Sequence, residues 1–519
     1  EVFGKDHNEL VFEGRETSAT VVQNAQDILE ADNRVRTWRV DIGRVSMETD
    51  NLLELRFRSP VEHDLPRVGE RGYELMTVFD APKTSPYTRK APYHYGWDWG
   101  PRFVTSGIWR PVVLQGWNDV RLTDVQVVQR EVSGEVARLT FNVELESDGD
   151  HTVDLTVEDS TGAFKPQTVS IDAHQGVNVA PIDVEIPNPS LWWPNGLGDQ
   201  PLYTFLARIS VDGVEADEMS VRTGLRSLEL VRTEEDGGEG FQFVVNGVPV
   251  FAKGANWIPA DSFVTRVDRD RYRKLLQSAV DANMNMLRVW GGGIYEYADF
   301  YQLCDELGIM VWQDFMFACN LYPGDEGFIA SVRQEAIDNV RRLRNHPSIA
   351  LWCGNNEVES AWREWGNDAK FPEEVWQHYL SIFHEMLPEV VAEHDPSRAY
   401  WPSSASSNLE ALPNSHDYGD IHHWGVWHGR WPYTRYLEAM PRFVSEYGFQ
   451  SFPELATIES FALPEDYDIH SPVMKAHQKN KQGNEIIHEY MLRHFPEPAD
   501  FETFLYLSQV IQAHGIGLG

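Results

Sequence analysis

A chain of 519 residues is too long for one hydrophobic core and implies about three domains. Its composition, 42% hydrophobic and 12% aromatic with 18 tryptophans, is that of a folded globular protein, while a net charge of −36 opposes binding to nucleic acid phosphates or an anionic membrane surface. No run of about 18 apolar residues is present to span a bilayer.

In chain order, Thr37–Val40, Leu52–Phe57 and Ile108–Leu114, punctuated by Gly, Asp and Pro, predict strands of a jelly-roll-like β-sandwich over residues 1–118. Within it Tyr93–Phe103, YHYGWDWGPRF, is too rich in aromatics and glycine for an ordinary strand. Its Gly96-Trp97-Asp98-Trp99-Gly100 loop can bring a carboxylate and an indole close to a bound ring; a purely structural aromatic turn explains it equally well. Residues 119–222 alternate with period two: Ala137-Leu139-Phe141-Val143-Leu145, then Val153-Leu155-Val157, then Val177-Val179. That spacing predicts an immunoglobulin-like β-sandwich, a spacer without chemistry. The acidic stretch Thr233–Gly240 reads as a link, and Phe243–Phe251 as a hairpin turning at Asn246-Gly247.

From there to residue 519 strand and helix patterns alternate, which predicts parallel βα units. Strands are expected at Phe251–Gly254, Met286–Val289, Met310–Gln313, Ile349–Cys353, Ala399–Pro402, Ile421–His423 and Phe443–Glu446, with helices over Arg269–Asp281, Tyr297–Leu307, Phe328–Arg344 and Pro372–Val391. Seven strands make an incomplete TIM (β/α)8 barrel over 223–519, because the text after Asp500 reads as a helix. An unclosed barrel exposes an edge and a core face, so the chain as written is expected to be less stable than a closed one, and its turnover is in question.

The chemistry concentrates at His346–Glu357, HPSIALWCGNNE. Ile349–Cys353 suits a strand buried on both faces, and Asn355, Asn356 and Glu357 follow at its C-terminal end, where barrel active sites assemble. Glu446 arrives in the same way within RFVSEYG. Two carboxylates at the ends of different strands suit glycoside hydrolysis, in which one protonates the leaving oxygen and the other attacks the anomeric carbon. The plainer alternatives are a helix N-cap partner for Glu357 and a surface acid for Glu446. Tryptophan abundance suits sugar binding, since pyranose C–H faces stack on indole.

Cys304, Cys319 and Cys353 read as buried free thiols. No CxxC or HExxH spacing supports a zinc site, and adjacent His422 and His423 face apart on a strand, so no metal or other cofactor is expected. No glycosylation acceptor Asn-x-Ser/Thr is present, which weighs against a glycosylated lysosomal enzyme, and a cytoplasmic location is the expectation.

These motifs resemble those of glycoside hydrolase family 2. With GANWIPADSF at Gly254–Phe263, LRVWGGGIYE at Leu287–Glu296 and WQDFMFAC at Trp312–Cys319, the resemblance narrows to the β-mannosidase branch. Related β-galactosidases and β-glucuronidases share the Asn-Glu pair, but a Ser-His-Tyr-Pro-like run is expected there in place of Trp290–Gly293. The resemblance implies Glu357 as acid/base, Glu446 as nucleophile and Asn356 as the amide at the sugar O2. Trp97 and Asp98 become sugar contacts, and Arg288, at the end of the second barrel strand, would keep Glu446 ionised. Trp290, Trp365 and Trp424 become apolar walls, although core packing explains each as well. The implied reaction is removal of terminal non-reducing β-D-mannose from oligosaccharides or glycosides with retained configuration. The alternatives are another family 2 exo-glycosidase, such as an exo-β-glucosaminidase or β-galactosidase, or a carbohydrate-binding fragment without turnover. Assembly is open, a homodimer being one candidate.

Overall fold

A computed structural model of the protein describes residues 4–43, 45–46, 50–235 and 237–519. Asp236, within the stretch read as a link, lies outside the described residues. At the N-terminus two three-stranded sheets face each other, one ordered 38–41, 7–12, 112–117 and the other 26–31, 19–23, 53–57. Leu10, Phe12, Val21 and Ile42 fill the space between them. The strands His7–Phe12 and Ala19–Gln23 were not expected from the pattern: they are buried almost throughout, so no polar alternation marks them.

The second sandwich pairs Val120–Val132, Val136–Ser147 and Gly176–Pro187 in one sheet, against His151–Asp159, Gln167–Ala173, Tyr203–Val211 and Val214–Thr223 in the other. Leu139, Phe141, Val143 and Leu145 face Val153, Leu155 and Val157 across its core. Val177 and Val179 are a correction: they point to solvent, and Ala180, Ile182, Val184 and Ile186 of the same strand point inward. Alternation marks two faces but not which is buried, and here the register with Val136–Ser147 decides. The turn after this strand carries Trp192, fully buried, whose indole N–H donates to the Asp305 carbonyl and so joins the sandwich to the barrel.

The hairpin at Gln242–Val245 and Val248–Val250 turns at Asn246 (φ 50°) and Gly247 (φ 76°), the paired positive φ of a type I′ turn. Parallel strands follow: β1 Gly254–Trp257, β2 Met286–Val289, β3 Met310–Asp314, β4 Ile349–Cys353 and β5 Ala399–Trp401 in one sheet, then β6 Ile421–His423 paired with β7 Val444–Tyr447. Among the described residues these strands do not close into a ring. The expected first strand, Phe251–Gly254, is displaced: Phe251 is exposed, and pairing with β2 starts only at Gly254, which lies against the Met286 carbonyl with no room for a Cβ.

Helix α1 (Arg269–Asp281) is capped by Asp268 accepting from the Arg271 N–H, and α2 (Ala298–Leu307) ends at Gly308, whose φ of 73° suits glycine. The next helix, α3 (Glu326–Leu343), is capped by Asp325. The helix expected over Pro372–Val391 is broken into Glu373–Leu380, a π turn at Ser381–Met386 and Leu387–His394. Pro388 has no N–H for the α ladder, and the wider turn absorbs its ring. The helix expected after Asp500 is Phe501–Leu518, with Asp500 accepting from the Thr503 N–H. No helix among the described residues is long and apolar enough to cross a membrane.

The N-terminal sandwich is fastened to the barrel by buried charge. Arg89 forms two hydrogen bonds to Glu335 on α3, at 2.6 and 2.8 Å, and Asn33 adds a third at 3.0 Å. Tyr93 N–H donates to the Gly292 carbonyl at 3.0 Å, which fixes the loop that follows over the barrel mouth.

Candidate active site

Strand β4, IALWC, is buried at every position and delivers Gly354 to Glu357 at its C-terminal end. Gly354 meets the Pro402 carbonyl where a Cβ would sit. Asn355 accepts from the Val358 N–H at 2.9 Å and from Ser403 Oγ at 2.7 Å, so it starts the helix Val358–Arg363. Glu357 occupies the cap position of that helix, yet its side chain makes no capping bond and turns inward. Its φ of 60° is left-handed, an unfavourable conformation held by Glu357 N–H to the Ser404 carbonyl and Ala361 N–H to its own carbonyl.

Both Glu357 oxygens are engaged. Oε1 lies 2.7 Å from His422 Nδ1 on β6, and Oε2 accepts from Cys319 Sγ at 3.2 Å. Glu446, on β7 and 7% exposed, accepts from Arg288 Nη1 through Oε1 at 2.5 Å and from Trp424 Nε1 through Oε2 at 3.1 Å. His422 Nδ1 also lies 3.4 Å from Glu446 Oε2. One oxygen of each glutamate and a ring nitrogen of His422 all fall within 4.8 Å of one another. Glu446 is therefore not a surface acid, and Glu357 is not a capping residue.

Arg288 is the hub beneath the pair. Its guanidinium donates to Glu446, to Asn256 Oδ1 and Asn356 Oδ1 (each 2.8 Å) and to Asp314 Oδ2 (2.9 Å). Burial opposes its charge, but Asp314 and Glu446 outweigh that and hold its pKa above the usual value. For Asp314 burial wins, pushing its carboxyl up against the pull of Arg288. Burial likewise opposes charge on His422 and Glu357. Glu446 and Glu357 nevertheless raise the imidazole, and the His422 bond and charge lower the Glu357 carboxyl. Burial, and then the Glu357 charge, push the Cys319 thiol far up, so it remains S–H and donates.

A cavity of about 1480 Å³ opens on these groups and continues between the edges of β1 and β7 toward Phe241, Trp312 and Phe443. Trp97, Asp98, Arg288, Trp290, Asn356, Trp365 and Trp424 all line it. Trp97 stands edge-on to Trp290 at 4.7 Å, so the N-terminal loop supplies part of the wall, and burial raises the Asp98 carboxyl there. Trp365 is exposed to solvent. Trp424 is more than the apolar wall expected of it, since its indole N–H reaches Glu446. Asn356 offers Nδ2 to Cys319 Sγ at 3.2 Å while its oxygen is held by Arg288. His422, Cys319 and Asp314 went unrecognised in the sequence. The one available signal was a polar residue at the C-terminal end of an apolar strand, as in DIHHW and WQDF.

Glu357, His422 and Glu446 are close enough to ligate one cation, as are Asp119, Asp148 and His151 on the second sandwich. In the latter group Asp148 is already hydrogen-bonded to His151 at 2.9 Å and His7 at 3.3 Å.

Residues 1–110 match the family described as glycosyl hydrolase 2 galactose-binding domain-like, and residues 120–226 match glycosyl hydrolases family 2. The chain carries glycoside hydrolase family 2 domains. It is similar to a β-mannosidase of Capra hircus, with 38% identity over 97% of this chain and 60% of that protein. It is also similar to β-mannosidase B of Emericella nidulans, with 35% identity over 98% of this chain and 61% of the other. The crystal structure of a β-D-mannosidase from Dictyoglomus thermophilum superposes with a TM-score of 0.94 at 42% identity, over all of this chain and 63% of that one. The chain spans about 60% of the length of the curated relatives it matches.

Proposed function

We propose that this protein is a retaining exo-β-D-mannosidase, releasing terminal non-reducing β-D-mannose through a covalent glycosyl-enzyme. The observation that carries the reading is the meeting of the Glu357 and Glu446 carboxylates, with oxygens within 4.8 Å at the C-terminal ends of β4 and β7. In retaining glycosidases the two carboxyl groups stand about 5–5.5 Å apart, too close to admit the water of an inverting mechanism. Glu357 gives its proton to the leaving oxygen as the C1–O bond breaks, and a Glu446 oxygen bonds C1. Water then attacks C1, its proton passes to Glu357, and the ester bond to Glu446 breaks. Arg288 and Trp424, both donating to Glu446, stabilise it as the ionised nucleophile and as the departing carboxylate.

The remaining assignments belong to the same proposal. Asn356 would hold O2, where contacts strengthen in the oxocarbenium-like transition state. Trp97, Asp98, Trp290 and Trp365 would contact the sugar or its neighbour. The division into 1–118, 119–222 and 223–519, a cytoplasmic location and a homodimer are part of this reading, and limited proteolysis, cell fractionation and sedimentation test them in turn.

Mannose is proposed because the β-mannosidases from goat, fungus and Dictyoglomus are similar along nearly all of this chain. Initial rates on the 4-nitrophenyl β-glycosides of mannose, glucose, galactose and glucosamine test it. The mannoside should be hydrolysed fastest, with β-mannose as the first product seen by NMR. Faster hydrolysis of the glucosaminide or galactoside would transfer the assignment to another exo-glycosidase. Binding of mannose with no turnover of any glycoside would leave a carbohydrate-binding protein.

A further inference from the structure

The acid proton of Glu357 has a built partner. His422 sits between two carboxylates on its Nδ1 side and a polar chain on its Nε2 side. Ser404 Oγ lies 3.0 Å from Nε2 and 2.6 Å from Asp420 Oδ2. Ser404, Asp420 and Ser406 are completely buried. Asp420 also takes Trp401 Nε1 at 2.8 Å and Ser406 N–H at 3.1 Å on Oδ1, and Ser445 Oγ on Oδ2. Each serine hydroxyl has one proton to give. A carboxylate at 2.6 Å wins it over a neutral ring nitrogen at 3.0 Å, because the ionised acceptor makes the stronger bond. Ser404 is left with only lone pairs toward His422, so Nε2 must carry a hydrogen.

We propose that Asp420 and Ser404 fix His422 in the Nε2–H form, making it a positioning residue whose Nδ1 lone pair holds the transferable proton of Glu357. The inference rests on the reading of Glu357 as acid/base. With Nε2 already protonated, Nδ1 faces Glu357 Oε1 at 2.7 Å and Glu446 Oε2 at 3.4 Å, and three lone pairs cannot converge without a proton between them. Cys319 S–H occupies Glu357 Oε2, so the shared proton lies on the line from Oε1 to Nδ1. From Oε1 it passes to the glycosidic oxygen, and a proton from water returns to the pair in the second half of the cycle. Between those events the empty Nδ1 lone pair beside Glu357 makes the carboxylate a stronger base, as activation of water requires. In the same interval Glu446 is an uncharged ester, which withdraws its support for an imidazolium.

The charged and titratable groups around His422 are Glu357 from the β4 end, Glu446 from β7, Arg288 from β2, Cys319 from the β3 loop, and Asp420 through Ser404. The proton is retained by the pair, not by a lone carboxyl, so the basic limb of the kcat/KM profile reports the pair.

Four variants of the protein test this, with two substrates. In His422→Asn the basic limb should move, because the proton is then held by Glu357 alone and no longer by the pair. In Ser404→Ala, kcat/KM for 4-nitrophenyl β-mannoside should fall by about tenfold to a hundredfold, part of what a positioned acid supplies. The value for the 2,4-dinitrophenyl mannoside, whose leaving group needs no proton, should be nearly unchanged, and Ser404→Thr should restore the first substrate. A damaged pocket would slow both substrates equally. Azide rescue of Glu357→Ala separates the two levels of the argument: without rescue the acid assignment falls and the relay with it. Rescue combined with an unmoved basic limb in His422→Asn, or with equal losses on both substrates in Ser404→Ala, overturns the relay alone.

Discussion

The second sandwich and the carboxylate end of the barrel bury their side chains on opposite terms. In the sandwich, Leu139, Phe141 and Val143 meet Val153, Leu155 and Val157, and the charged residues of the strands stay outside except for Asp159 at a strand end. At the barrel mouth Arg288, Asp314, Glu446 and His422 are as inaccessible as core leucines, and Glu357 and Cys319 hold left-handed backbone. Apolar burial is favourable at roughly 25 cal/mol per Å² whatever the partner, so many sequences satisfy it. Buried charge is tolerable only when every partner is in place, so the mouth is specified atom by atom.

The sharpest way to break that contrast is to remove a carboxylate at the mouth to which the proposal gives a chemical task. Glu446→Ala should lower kcat by about 10⁴-fold or more in steady-state rates, while thermal melts should show a smaller loss of stability than Arg288→Met, because Arg288 keeps Asp314 as a partner. Next is Arg288→Met. It strands Asp314 and Glu446 without their shared cation and should cost about 3–5 kcal/mol of stability as well as most of the activity, unlike any loss expected from a surface ion pair. Phe141→Ala is the counterpart in the sandwich: a cavity costing about 3–5 kcal/mol in denaturant unfolding, with kcat/KM at low temperature unchanged. At the small end, Val179→Thr on the outer face should change stability by less than about 0.5 kcal/mol, whereas Ile182→Thr, three residues on, should cost several times more. If the two sandwich variants behaved alike, the face assignment would be wrong.

How much of this could be read beforehand follows the same division. Strands β2, β4 and β6 and helix α1 were legible to the residue because apolar runs between turn signals mark them. That Glu357 and Glu446 meet at one end of the strands was legible from their motifs. Val177 and Val179 misled because alternation is symmetric until a partner strand selects a face. Phe251 misled because one exposed aromatic resembles the start of a strand. The polar relay was not legible at all: Ser404, Asp420 and His422 gain meaning only when the β5 loop is folded against β6, and nothing in SSAS or GDIHH announces that contact. Trp424 stood among candidate walls because indole area is visible in a sequence, whereas the direction of its N–H is not.

The central claim is that Glu446 attacks the anomeric carbon while Glu357 serves as acid and base. Incubation with a 2-deoxy-2-fluoro-β-mannosyl fluoride, followed by proteolysis and mass spectrometry, tests it most directly. The account predicts time-dependent inactivation with one fluoromannosyl group per chain, esterified to Glu446 and released as activity returns. A label on any other residue, or turnover of β-mannosides by a protein that never acquires the label, would contradict it.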